Sequence, residues 1–418
     1  MLEEGTGIGD GRRGMQLGKK AAVHVGAVIR GTLFIGFSVQ ILLGLAWMGA
    51  NFLSRQDFPE PESALYRALA GLTGENPQIL YLLQLGAAFY AVSLFLNTLL
   101  GEIRQGDSWG RCRRIWEILA VMTYPFAMQC HLAVLPFSLM GTLLFLLFSF
   151  LAQLLLCRKG KEEQGKKRRM PELSVGILLC GALWFAFCLD PGDGEKPGRS
   201  LEAAMASRFA WFTMWNDQGL WDPELQETVK DVLWESGYCP GNMEILEKAM
   251  EERLEPEEAG KYYLQMAETG WKYHRPMVIR QIGWDVLGYL VTPVVVQLQL
   301  QGEAYDSYTG RNYEAMGGHC PALTGYYVDY GCWWFKASLL LALVSGGVLV
   351  LSGRSRRPGP GVAAVAVCMA VMGLLALALT MRGAGIMDYK YTVTAGGLWL
   401  AFALLAMGDT GRERDRRQ

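Results

Sequence analysis

Three carboxylates, Asp57, Glu60 and Glu62, fall between two long apolar runs, close to Arg55. A carboxylate so placed can take a proton from a hydroxyl, and cations nearby can hold an anion as charge moves. His131 lies in the turn Gln129-Cys130-His131-Leu132, and Asp388 and Lys390 precede the last apolar run. Arg208, His274, Arg275 and Arg280 fall in the one long polar segment. Simpler roles stand beside these. An acidic loop is most often a solvated surface, and Asp388 and Lys390 can pair with each other. Arg208, among Trp211, Phe212 and Trp215, can form a cation–π clamp.

Familiar soluble-enzyme patterns are missing. Gly5, Gly7, Gly9 and Gly11 sit in a polar arm with no preceding strand, so they make no dinucleotide fingerprint. No Walker A or HExxH pattern occurs. Four histidines (His24, His131, His274, His319) are too few and too scattered for a multi-His metal site, and nine cysteines include no CxxC pair. No metal and no cofactor is expected. A disulfide between Cys320 and Cys332 is left open.

Membrane helices are expected to hold these residues in place. The 418 residues are 51% hydrophobic and only 19% charged, with a mean hydropathy of +0.17. Lys plus Arg (39) balances Asp plus Glu (40), which gives no basis for nucleic-acid binding. About 20 apolar residues span a bilayer core. The sequence offers eight such runs: Gly31 to Ala50, Ile79 to Leu100, Arg114 to Gln129, Val134 to Cys157, Leu173 to Asp190, Trp334 to Ser352, Val362 to Met381 and Tyr391 to Met407. The third is short and holds Pro125, as a tilted or half-crossing helix would.

Basic residues sort these runs into a topology, because Lys and Arg are retained on the cytoplasmic side. Segments on one side carry 22 Lys and Arg, including seven between Arg158 and Arg169, whereas the opposite short loops carry two each or none. Both termini are therefore expected in the cytoplasm of a multi-pass plasma-membrane protein. The fold class expected is all-α and polytopic, with an outer helical domain between spans five and six. Its parts are an arm and interfacial segment (1–30), five spans (31–190), the outer domain (191–333), three spans (334–408) and a basic tail (409–418). The outer domain holds 22 acidic against 11 basic residues, opposite to the cytoplasmic loops.

One stretch, Ile282 to Gln301, is apolar enough to resemble a ninth span. Crossing there would bury Asp285 and reverse the side of the later arginines, so it reads as a helix on the outer membrane surface, kinked at Pro293. The rest of the domain is helical by its punctuation. Asp222-Pro223, Asn242, Glu255-Pro256 and Pro276 can each open a helix. Leu246 and Met250, then Tyr262, Tyr263 and Met266, recur at helical spacing.

Short features distributed from about Arg30 to Met407 resemble one family. Glu62, Tyr66 and Ala70 stand at helical spacing in the first outer loop. Tyr124-Pro125 closes a span that turns back into Pro136-Phe137-Ser138-Leu139. His274-Arg275-Pro276 opens a helix of the outer segment, and Asp388-Tyr389-Lys390-Tyr391 enters the final span. In these the chain resembles the GT-C superfamily of integral-membrane glycosyltransferases, which use polyprenyl-phosphate-linked sugars. It departs from many members in a first outer loop of only 28 residues and in having fewer spans.

The resemblance implies transfer of a sugar to a cell-envelope acceptor at the outer face, with Asp57 or Glu62 as general base and Glu60 a weaker third choice. It implies phosphate contact by Lys390, Arg208, Arg275 and Arg280, and substrate positioning by His131, with His274 and Asp388 beside them. The partners implied are membrane lipid, a lipid-linked sugar donor and a glycan or lipid acceptor. A transporter or lipid flippase is the first competing reading, and a non-catalytic protein whose outer domain binds a partner is the second. Few charges lie deep in any run and no repeat is evident, which favours interfacial chemistry over transport.

Overall fold

The computed structural model describes residues 31–50, 52–53, 64–74, 76–101, 107–124, 136–159, 164–189, 201–215, 223–235, 246–247, 250, 252–291, scattered positions from 326 to 344, 360–381, 395–402 and 405. Among these residues all regular structure is helical. Among the described residues five helices are long and apolar enough to cross a membrane: Gly31–Ala50, Pro77–Leu100, Leu139–Leu156, Met170–Phe187 and Gly361–Ala378. They match five of the eight expected runs. The chain is a membrane-embedded, all-α protein.

In chain order the helices are α1 (Gly31–Ala50), α2 (Ala64–Leu72), α3 (Pro77–Leu100), α4 (Ser108–Met122), α5 (Pro136–Lys159), α6 (Gln164–Leu189), α7 (Leu201–Trp215), α8 (Pro223–Glu235), α9 (Pro256–Val291), α10 (Pro360–Met381) and α11 (395–402). Local chemistry fixes several starts. Asn76 caps α3, its side chain accepting from the N–H groups of Gln78 and Ile79, with Pro77 at the first helical position. Asp107 caps α4 by accepting from Gly110 N–H at 2.8 Å.

One buried cluster joins the bundle. Phe37 and Ile41 of α1, Phe95 of α3, Val121 of α4, Phe148 of α5, Trp184 of α6, Met372 of α10 and Leu398 of α11 all belong to it. The same helices turn large apolar side chains outward, among them Leu42, Leu83, Leu178 and Leu374, each more than half exposed. Helices apolar on both faces suit lipid rather than water.

One end of the bundle is marked by basic residues. Buried Glu117 accepts from Arg113 and Arg114, at 2.9 and 3.0 Å, and Arg114 reaches Asn97 and the Gly101 carbonyl at the end of α3. Trp116 stacks on Phe34 and donates to Ser38, so this basic end is where α1 begins. Gly361, at the start of α10, lies beside the Leu99 carbonyl at the same end. Met381 is therefore about 30 Å away, at the opposite or far end.

α4 is shorter than the crossing it was expected to make. Gln40 donates to the Ala120 carbonyl at 3.2 Å, and α4 ends at Met122, so it stops level with the middle of α1. That agrees with a half-crossing element, though it begins at Ser108 rather than Arg114. Pro125 and Gln129 lie outside the described residues.

Beyond the far end, α7, α8 and α9 form a second core. Ala203, Ala206, Ala210, Val229, Leu246, Met250, Ala259, Tyr263 and Met266 are buried together, as the spacing of Leu246, Met250, Tyr263 and Met266 predicts. Helices open where expected at Pro223 and Pro256. Pro276 does not open one. It lies inside α9, which continues from Pro256 to Val291. Pro276 and Lys272, whose carbonyl loses its usual N–H donor, are both exposed, so water can serve that carbonyl.

The stretch from Ile282 also differs from expectation. Through Val291 it is the lower part of α9, docked along α10 rather than spread on a surface. Val278 and Ile282 cluster with Met381, whereas Leu290 lies near Gly373 and its carbonyl accepts from the Trp399 indole at 2.8 Å. α9 thus runs antiparallel to α10 and reaches about midway down the bundle. Pro293 and Gln301 lie outside the described residues.

Trp334 was expected to open a span at the outer end. It stands instead against Gly36 and Phe37, one turn or two from the basic end, its ring 5.0 Å from that of Phe37. Tyr330 donates to the Gly36 carbonyl at 2.9 Å. A side chain at position 36 would overlap the Trp334 ring, so the glycine permits this approach.

Candidate functional site

Arg208 lies on α7 among Met205, Ala206, Phe209 and Ala210, all buried, and is itself 6% exposed. A guanidinium in such surroundings needs a counter-charge. Asp285 of α9 supplies it, with Oδ2 3.6 Å from Arg208 Nη2. The sequence marked Asp285 only as an obstacle to membrane insertion. Seventy-seven positions separate the two residues, so no local spacing pairs them.

α9 sets the remaining described candidates by their helical angle. Gly270, His274, Val278 and Asp285 recur at spacings of four and seven, a single stripe turned toward α7 and α10. Gly270 is needed there because a Cβ would run into the Phe209 ring. His274 on this stripe is half-buried. Arg275 and Arg280 point away from it and are exposed, and Arg275 lies 5.0 Å over the Trp271 ring. The described members of the expected phosphate-contact set, Arg208, Arg275 and Arg280, are therefore divided. Arg208 and His274 face inward, and Arg275 and Arg280 face outward.

Lys272 joins the outward pair, stacked 5.1 Å from the Tyr273 ring. Sequence reading passed over it, although its spacing of three from Arg275 places both on one face. The remaining candidates, Asp57, Glu62, His131, Asp388 and Lys390, lie outside the described residues, as do Glu60, Cys320 and Cys332. Among the described residues no group of three or more His, Cys, Asp or Glu is placed to hold a metal, and Cys112, Cys180 and Cys368 are free thiols.

What this arrangement can do is specific. Three exposed cations at the far end, Lys272, Arg275 and Arg280, can hold anionic groups, while the inward ion pair fixes α7 against α9. Comparison of the chain with family models, with curated proteins and with solved structures finds no match.

Proposed function

We propose that this chain is a membrane glycosyltransferase of the GT-C type, moving a sugar from a polyprenyl-phosphate donor to a cell-envelope acceptor at the outer membrane face. The observation that carries the reading is the exposure of Lys272, Arg275 and Arg280 within nine residues of the helix that joins the α7–α9 core to the membrane bundle. A lipid-linked phosphate presents its charge at that border. Because Asp285 already faces Arg208, Arg275 and Arg280, with Lys390, are the better phosphate contacts. Asp57 or Glu62 would take the acceptor proton as the hydroxyl attacks the anomeric carbon, and the cations would neutralise the departing phosphate. His131, His274 and Asp388 would position the two substrates.

The topology proposed with this reading puts both termini and the Arg113–Arg114 end in the cytoplasm of the plasma membrane, and the α7–α9 core outside. The charge sorting of the loops supports it. About eight crossings remain the proposal. Val278 lies at the far end and Trp334 near the basic end, so the chain passes between the two ends earlier than a span opening at Trp334 would have it.

The test is transfer from synthetic polyprenyl-phosphate sugars by the purified chain in proteoliposomes. Asp57→Asn or Glu62→Gln should abolish transfer at unchanged protein level and insertion. Transfer unaffected by both substitutions sinks the assignment. A flippase or transporter would instead show counterflow of substrate, and a partner-binding protein would show neither.

A further inference from the structure

The exposed surface of α9 changes along its length in one direction. From Glu257 to Glu268 the exposed positions include Glu257, Glu258, Lys261 and Glu268. Trp271, Lys272, Tyr273, Arg275 and Arg280 follow, aromatic and cationic, all exposed. Overlapping and then succeeding them, Met277, Ile279, Trp284 and Leu287 are 42–60% exposed. Below Arg280 the single Asp, Glu, Lys, Arg or His in the sequence up to Val291 is Asp285, and it is turned inward onto Arg208. The order is that of water, headgroup layer and hydrocarbon.

The position of the helix agrees with that order. Val278 and Ile282 lie against Met381, at the far end of an apolar helix long enough to cross a membrane, and Leu290 lies beside Gly373, well within it. The apolar outward face of α9 is thus level with the outward apolar faces of the bundle.

We propose that α9 penetrates the bilayer leaflet at the far end, and that its outward face is a docking surface for membrane phospholipid. Lys272, Arg275 and Arg280 hold headgroup phosphates, and Met277, Ile279, Trp284 and Leu287 lie among the acyl chains. Arg275 over Trp271 and Lys272 over Tyr273 match a belt in which rings sit at the ester level and cations reach up to phosphate. The Arg208–Asp285 pair lets an acidic residue descend on this helix without an uncompensated charge. The inference concerns bulk lipid, which occupies the same cations that the proposed transferase would turn to its donor phosphate, and a test without polyprenyl lipid lets the two fail separately.

The full chain, reconstituted in vesicles of phosphatidylcholine and phosphatidylglycerol with no polyprenyl lipid, tests it. A benzophenone amino acid is placed singly at Leu264, Met277, Trp284 or Leu287. Irradiation should give phospholipid adducts at Met277, Trp284 and Leu287 and none at Leu264. Adducts equally frequent at Leu264, or absent at Trp284 and Leu287, would overturn the proposal, as would crosslinks from those positions to protein alone. In a second arm, each of Lys272→Gln, Arg275→Gln and Arg280→Gln should lower phosphatidylglycerol retained after detergent extraction about fivefold. Lys261→Gln should leave it unchanged. Equal retention in all four variants counts against the headgroup contacts.

Discussion

The indole N–H of Trp399 donates to the carbonyl oxygen of Leu290 at 2.8 Å, across 109 positions of sequence. It joins α11 of the membrane bundle to the lower end of α9, whose upper end belongs to the α7–α9 core. The core and the bundle are therefore held by a polar bond as well as by apolar contact. In surroundings as dry as these, such a bond has no water to replace it.

Replacing that donor should loosen α9 specifically. Trp399→Phe keeps a ring but leaves the Leu290 carbonyl without its indole partner, a change expected to cost about 1–3 kcal/mol. Hydrogen exchange should rise in the last turns of α9 and stay unchanged in α3 and α5. Uniform change, or none, would show that the bond does not hold the helix.

Arg208 and Asp285 make a sharper case, because each is mostly buried, with side chains 5% and 14% exposed. Arg208→Met or Asp285→Leu alone should destabilise by about 3–5 kcal/mol, since either strands a buried charge. The double substitution should recover most of the loss. Thermal unfolding of the four proteins in one detergent measures the coupling. Additive losses would mean that the two charges are independently solvated.

Much of this architecture is legible in the sequence, for physical reasons that can be named. A continuous apolar run such as Pro77–Leu100 encodes a membrane helix by itself, and Glu255-Pro256 encodes a helix start through the geometry of proline. Pro276 carries the same local signal as Pro256 and does the opposite, because its missing bond faces solvent in a helix held by packing on both sides. Asp285 misled in the same way. Its charge argued for a surface helix until Arg208, on another helix, supplied the partner. Of the candidate site, the sequence marked His274, Arg275 and Arg280 but set a helix start at Pro276 between them, whereas all three lie on α9. Which of them face outward depends on where α7 and α10 pack, and that is not a local property.

Gly270 should be intolerant of any side chain. A Cβ there meets the Phe209 ring, which is fully buried, so Gly270→Ala should destabilise by about 1–3 kcal/mol through overpacking. Helix propensity alone would predict a gain of about 1 kcal/mol, which gives the test its sign. Adding Phe209→Leu should relieve the clash in part. Stabilisation by Gly270→Ala in the unaltered chain would show that α7 does not press on α9 at this point.

The Tyr330–Gly36 and Trp334–Phe37 contacts carry a prediction about sidedness. α1 begins at the end marked by Arg113 and Arg114, and these contacts fall within two turns of that beginning. Glu258, in the first turn of α9, lies about 30 Å above Val278, beyond the opposite end. Tyr326 precedes Tyr330 by four positions and is exposed. In a background with the native cysteines replaced by serine or alanine, Glu258→Cys and Tyr326→Cys should react with a membrane-impermeant maleimide from opposite sides. Glu258→Cys should label in intact cells, and Tyr326→Cys should label only after permeabilisation. Labelling of both from outside would put Tyr326 with the α7–α9 core, and the ring contacts with Phe37 could not then form at the basic end.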